Sequence, residues 1–415
     1  LKDNGGTPTQ GHVLTVDGSG EASFVAGGVT SDAQYNTVGG TNAGNSFNGT
    51  NAEQNTLFGY NAGDTISTGD RNTVVGNDAA GNLNTGYRNT ALGDNAQVGS
   101  SGNYNVTLGA VSGSSALTGS YNIAAGYKSG YQITSGEKNI AIGYEAAEQL
   151  TTGSENIAIG VKAMSNATVT GSNNIALGQE ALKQNTSAAN NIAIGQGAGT
   201  NITTSLKNVI IGKSAGNGLQ TGYGNNIILG ERSMFSCGSD VNNLIAIGYE
   251  ALKSHQGSTN SIAIGTDALE TSTTGRNIGI GRDAGVNVSD GSQNTILGYR
   301  AGDILTSGDN NIIIGDDADP SSATTDNEIT LGNTSITRFR IPGLGLDFNG
   351  NNLDLGDSKK IRLGTGNDLE IYHSGSHSII LENGTGNLQI AASTIQLTNS
   401  AINENMIVAT ADAGV

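Results

Sequence analysis

The sequence predicts an all-β fold built as a β-solenoid, or parallel β-roll, of about 17 coils. Three observations predict it. A short phrase, N-I-A-I-G-x-x-A, recurs along most of the chain. Its apolar residues are spaced two apart, as in an extended strand. The 415 residues include 64 Gly and no Trp, with 13% charged residues, against roughly 25% charged in an ordinary globular chain.

The Gly that closes each phrase marks the period. These glycines run from Gly59, through Gly143 and Gly160, to Gly332, at intervals of 16, 17 or 18 residues. "YNTVGG" at 35–40 reads as a degenerate earlier copy. Fixed phrases joined by stretches of variable length imply that insertions fall in turns while the strand keeps register. A β-branched run ending at Gly suits a strand better than a helix. A second apolar position comes late in each repeat (Ile133, Leu150, Val169, Ile202, Leu219, Val288, Leu305), followed by turn text such as "LTTGSEN". Two short strands per coil are therefore expected, with coils stacked about 4.8 Å apart.

Within the phrase, Ile140 and Ile142 point one way and Asn139, Ala141 and Gly143 the other. We expect the apolar pairs to be the core: Ile140, Ile142, Ile157, Ile159, Ile175, Leu177, Ile192 and Ile194. Asn139, Asn156, Asn174, Asn191, Asn208 and Asn226 are expected to stack as an amide ladder, with departures at Leu244, Ser261 and Glu328. So small a core hardly offsets about 1–2 kcal/mol of backbone entropy per ordered residue. The small Asn-Ala-Gly face is therefore expected to pack against other copies of the chain.

The formal charge of −17 is spread through turns, and no basic patch recommends a nucleic-acid partner. Cys237 is the single cysteine, read as a buried, inert thiol. No run of 18 apolar residues offers a membrane span. The chain opens on Leu1, so a preceding segment is expected.

The repeat text resembles the head repeats of trimeric autotransporter adhesins and, more closely, the "GSNNTAIGYxAL" arrays of bacteriophage tail fibres, those of marine and cyanobacterial phages in particular. Matching copies are "GSNNIALGQEAL" at 171–182 and "SGDNNIIIGDDA" at 307–318. The flanks are similar to fibre segments too: "QGHVLTVDGSGEASFVAGG" at 10–28, with Phe24 at the aromatic position, "ITLGNTSITRFRIPG" at 329–343, and "KKIRLGTGNDLEIYHSGSHSIILENGTGNLQI" at 359–390. "NENMIVATADAGV" at 403–415 resembles the first half of a motif that continues beyond Val415. The resemblance implies a left-handed, homotrimeric β-roll followed by an intertwined triple-stranded β-shaft. It divides the chain into an N-terminal hairpin and attachment segment (1–34), the array (35–342) and a shaft segment (343–415). It implies a structural and adhesive virion fibre, assembled in the host cytoplasm, that carries a receptor-binding tip. Its partners would be copies of itself, other tail or baseplate proteins and a host surface glycan or outer-membrane component. A bacterial trimeric surface adhesin and a glycan-cleaving tailspike remain open beside it.

No catalytic set is expected. Asp316 and Asp317 are adjacent, so a strand would turn them apart, and paired glycosidase carboxylates need a cleft. His occurs only at 12, 255, 373 and 377, which leaves no Ser-His-Asp arrangement. His373 and His377 lack H-x-H spacing and read as polar residues beside a turn, so no metal or other cofactor is expected. Tyr60, Tyr127, Tyr144, Tyr249 and Tyr299 follow the repeat Gly, but Asp94, Val161 and Gln179 take that slot elsewhere, making a broken outer ladder. "GYKSG" and "GKSAG" precede no helix and are not phosphate loops. Thr falls at shifting offsets, which argues against a flat ice-binding face.

Overall fold

A computed structural model describes residues 12–16, 22–26, 29–48, 51–113, 116–166, 168–222, 224–238, 241–256, 260–340, 355–364, 366–385 and 387–391, among which there is no helix. The chain forms two compact units, Leu1–Thr337 and Arg338–Val415.

The first unit opens with an antiparallel pair, β1 (His12–Val16) and β2 (Ala22–Ala26). Strand β3 (Val29–Ser31) pairs antiparallel with β4 (Thr37–Gly39). From β4 onward every partner is parallel: β4 meets β5 (Thr56–Phe58), and the ladder runs strand by strand to β21 (Ile329–Leu331). "YNTVGG" is thus a true coil. Seventeen steps from β4 to β21 at about 4.8 Å make a stack about 80 Å long. Register is repeat on repeat: β10 (Ile140–Ile142) sets Ile140, Ala141 and Ile142 opposite Ile157, Ala158 and Ile159 of β11 (Ile157–Ile159).

The strand faces are reversed from the sequence expectation. Ala141, Ala158, Ala176 and Ala193 are fully enclosed, at 0–1% exposure. Of the residues expected as core, Ile142 and Ile159 are exposed, at 39% and 38%. Ile140, Ile157, Ile175, Leu177, Ile192 and Ile194 are only half-buried on the same outer side. The phase is set by the asparagine. Asn139 must reach carbonyl groups inside the coil, and in a strand of period two it carries Ala141 inward with it. A one-residue shift would put the ladder amides in water.

The coil interior is narrow, and its bulk comes from the wall opposite the strand: Ala146, Ala147 and Leu150 in one coil, Ala181 and Leu182 in another. Volumes compensate between the two walls. Where the strand centre is Ile210, the facing turn narrows to Gly216, whose position lies 3.3 Å from Ile210 Cδ1 once a Cβ is added. Where Leu269 intrudes, the strand centre is Gly279, and a Cβ there would meet Leu269 Cγ at 2.7 Å.

The second apolar column (Ile133, Leu150, Val169, Ile202, Leu219, Val288, Leu305) is buried to 1% exposure or less, but it lies in turns. The second strand expected there is absent among the described residues, leaving only isolated bridges such as Leu150↔Val169. The one-residue variation in coil length falls on this side, so a continuous ladder cannot keep register. Coils still bond across it, as in Thr134 N–H to Thr151 O at 2.9 Å and Thr186 N–H to Thr203 O at 3.0 Å.

The second unit contains an antiparallel sheet of β22 (Lys360–Leu363), β23 (Leu369–His373) and β24 (Ser378–Glu382). Ile361, Ile371 and Ile380 align across one face, and all three are exposed. Glu370 on the other face is buried between Lys360 and Arg362, at 2.5 and 3.1 Å. All of 343–354, and the segment 403–415 with its expected continuation, lie outside the described residues.

Candidate functional site

Three columns on the coil stack define what the solenoid can do. The first is inside. Asn139 Nδ2 donates to Asn122 Oδ1 at 3.0 Å and to Gly153 O at 2.9 Å. Asn139 Oδ1 accepts from Asn156 N at 2.9 Å and Asn156 Nδ2 at 3.2 Å. The same pattern runs through Asn174, Asn191, Asn208 and Asn226. Every amide in it is buried and satisfied, which makes the ladder structural. Leu244 interrupts it, taking the bond from Asn226 Oδ1 through its backbone N–H at 2.9 Å. Ser261 follows, and the ladder resumes at Asn277 and ends at Glu328, whose N–H donates to Asn311 Oδ1 at 2.8 Å. Hydroxyl bonds, Ser321 first among them, hold the Glu328 carboxyl below its usual range.

The second column is outside. The first and third residues of each strand, β5 to β21, carry no charge in any coil, and Leu92, Leu108, Ile142, Ile159, Ile211 and Ile314 are exposed at 36–48%. An uncharged, largely apolar band along the stack marks an interaction surface.

The third column precedes the ladder asparagine and was not singled out by sequence reasoning. Tyr104 and Tyr121 stack with centroids 4.9 Å apart and planes 5° from parallel. Tyr87 meets Tyr104 edge-on at 5.4 Å. The Arg88 guanidinium lies 5.3 Å from the Tyr104 ring and donates to its hydroxyl. The signal was available as a shared offset: Arg71, Arg88, Tyr104 and Tyr121 each stand one residue before a ladder Asn. Among the tyrosines after the repeat Gly, Tyr127 and Tyr144 stack at 5.5 Å, and Tyr60, Tyr249 and Tyr299 are exposed in other coils.

Charged residues bridge successive coils. Glu250, 7% exposed, pairs with Arg232 at 2.9 Å and Lys253 at 2.6 Å, and Lys253 reaches Glu270 at 2.8 Å. The Lys253 bond draws the Glu250 carboxyl below its usual range and raises Lys253. Thr column hydroxyls, also missed in the sequence, are occupied by neighbouring coils: Thr134, Thr151, Thr186 and Thr203 donate to the next coil's carbonyl. Burial pushes the Cys237 thiol up to about 12.

Asp316 and Asp317 are both exposed on the turn after Gly315, and Asp317 pairs with Arg300 at 3.4 Å. His373, the last residue of β23, and His377 beyond the following turn are exposed and sit beside the Ser378 and Ser376 hydroxyls at 3.3 and 2.9 Å. Among the described residues, no group of three His, Cys, Asp or Glu converges as a metal site, and no helix is long and apolar enough to cross a membrane. No protein family and no curated protein matches the sequence.

Proposed function

We propose that this chain is a structural and adhesive fibre whose solenoid is one of three identical strands of a homotrimer. The observation that carries the reading is the outer apolar band. One chain leaves Ile142, Ile159 and their counterparts in water over the length of the array, with no charged residue to mark it as a free surface. A second and third copy, each bearing the same band, would cover it at the cost of no polar group. The Asn-Ala-Gly face named by the sequence cannot serve, because Asn139 and Ala141 are inside the coil. The apolar face of β22–β24 supports the same arrangement in the second unit, continued as an intertwined β-shaft.

The proposed setting is a bacteriophage tail fibre or similar appendage, which joins tail or baseplate proteins at one end and presents a tip to a host surface receptor. A bacterial trimeric surface adhesin is the alternative. A glycan-cleaving spike has less support, because Asp316 and Asp317 lie on an open turn. Two measurements test the proposal. Sedimentation of the full chain should give three times the monomer mass, and Ile142→Lys with Ile159→Lys should reduce it to one. Immunogold labelling should decorate phage tails; labelling of cell surfaces free of phage would replace the phage assignment with the adhesin. A monomeric wild-type chain would overturn the trimer.

A further inference from the structure

The column before the ladder asparagine lies in the left-handed region in coil after coil. From Asn173 onward it mostly holds Asn, as at Asn173, Asn190, Asn225 and Asn310, at φ between 55° and 61°, with Lys207, Arg276 and Gln293 as departures. Asn tolerates this conformation well. In the N-terminal half the same slot holds Arg71, Arg88, Tyr104 and Tyr121, at φ between 56° and 63°. Bulky side chains are poorly suited there, and no packing need explains them: Tyr121 is 54% exposed. A repeated departure from the fitting residue, on the surface and in consecutive coils, is what a binding function would impose.

The strip also departs from the acidity of the whole chain. Between Arg71 and Lys138 the sequence has four cations and three acids, in a chain of formal charge −17. Two of those acids, Asp78 and Asp94, follow the strand and stand beyond its far end. Most of the solenoid's lysines and arginines pair with carboxylates, but among the described residues Arg71 and Arg88, like Lys207 and Arg276 in the same slot of later coils, pair with none within 4.0 Å. Arg71 instead donates to Gln54 Oε1 at 2.9 Å. Glu53 and Asp70 flank the strip at one end and Glu137 and Glu155 at the other, the last paired with Lys138 at 3.3 Å.

We propose that Arg71, Arg88, Tyr87, Tyr104 and Tyr121 form a binding strip for a carboxylate-bearing polysaccharide laid along the coil axis. Tyr104 and Tyr121 stack face to face, which leaves their edges and not their shared faces free. Those edges carry the positive end of the ring quadrupole, which suits an oxygen-rich ligand. Guanidinium groups bind carboxylates through paired N–H donors. The partners recur once per coil in a straight row, so they fit a linear polymer better than a compact ligand, and an anionic one better than a neutral one. The proposal deepens the adhesive reading and rests on it.

The test uses the full chain in affinity electrophoresis through gels containing polygalacturonate, dextran or single-stranded DNA. Polygalacturonate should retard the wild type, increasingly so at low salt, while dextran and DNA should not. Arg71→Gln with Arg88→Gln, and separately Tyr104→Asn with Tyr121→Asn, should each weaken retardation about tenfold or more. The Asn pair keeps the side chain that other coils use, so its melting temperature should equal or exceed that of the wild type. Loss of retardation with the fold retained supports the strip. A wild type that ignores polygalacturonate, pairs that bind as the wild type does, or equal retardation by DNA would overturn it. Tail labelling is read separately, so its failure would count against the phage assignment and not against the strip.

Discussion

Replacing Asn139 with Ala removes four side-chain hydrogen bonds from the middle of the buried ladder. The Ala keeps its backbone bond to Asn122 Oδ1, and Asn156 Nδ2 keeps Gly171 O. Gly153 O and Asn156 N–H lose the amide that faced them. Two buried groups so exposed, at about 1–3 kcal/mol each, cost about 2–6 kcal/mol. Because coils contact only their neighbours, the loss is local. Hydrogen exchange of amides in 122–175 should accelerate by about 30-fold to 10⁴-fold, with distant coils unchanged. Asn139→Asp sharpens the test. It retains acceptors for Asn156 but turns a carboxylate toward Asn122 Oδ1 and Gly153 O, which raises its folded pKa. The damage should be complete at neutral pH and should fade as pH falls through that raised value toward about 3.9. Unchanged exchange in the Ala variant, or an Asp variant indifferent to pH, would refute the assignment of the ladder as a stabilising element.

The inverted faces predict opposite responses on neighbouring residues. Ala158→Leu should overpack the coil and cost about 1–3 kcal/mol in thermal denaturation, whereas Ile159→Ser should leave a single chain within about 0.5 kcal/mol and act only on assembly. Gly143→Ala should block stacking, since at φ 132° its Cβ would lie 2.6 Å from Gly160 O; expression should shift to insoluble material. Glu250, with its folded pKa depressed, stabilises above the unfolded carboxylate value of about 4.3 and loses that contribution as pH falls through the lower folded value; Glu250→Gln should flatten the acid limb of a stability–pH curve. The buried Cys237 thiol should resist a thiol reagent at pH 8 until denaturant is added.

The period, the single strand register and the amide row are all legible in the repeat, because an Asn, a β-branched pair and a Gly recur at fixed offsets. Which strand face turns inward is not legible from hydropathy. Two Ile outrank one Ala on any scale, and only the bonding needs of Asn139 decide otherwise. The late apolar column is legible as core at Leu150 and Leu305 but not as turn, since its coils differ in length. Tyr87 escapes notice beside Tyr104 and Tyr121 because it stands two residues before its ladder Asn and they stand one, and only the coil geometry brings the rings together.

The amide row has a direction. Each Nδ2 donates toward the N-terminal neighbour, so the side-chain dipoles add head to tail. Its donor end at Asn36 rests on the Asp32 carboxylate, 2.8 Å away, as an anion caps the positive end of a helix. Leu244 and Ser261 divide the row into two such dipoles of the same sense. The stack is therefore electrically polar, and a coil can join it in only one orientation.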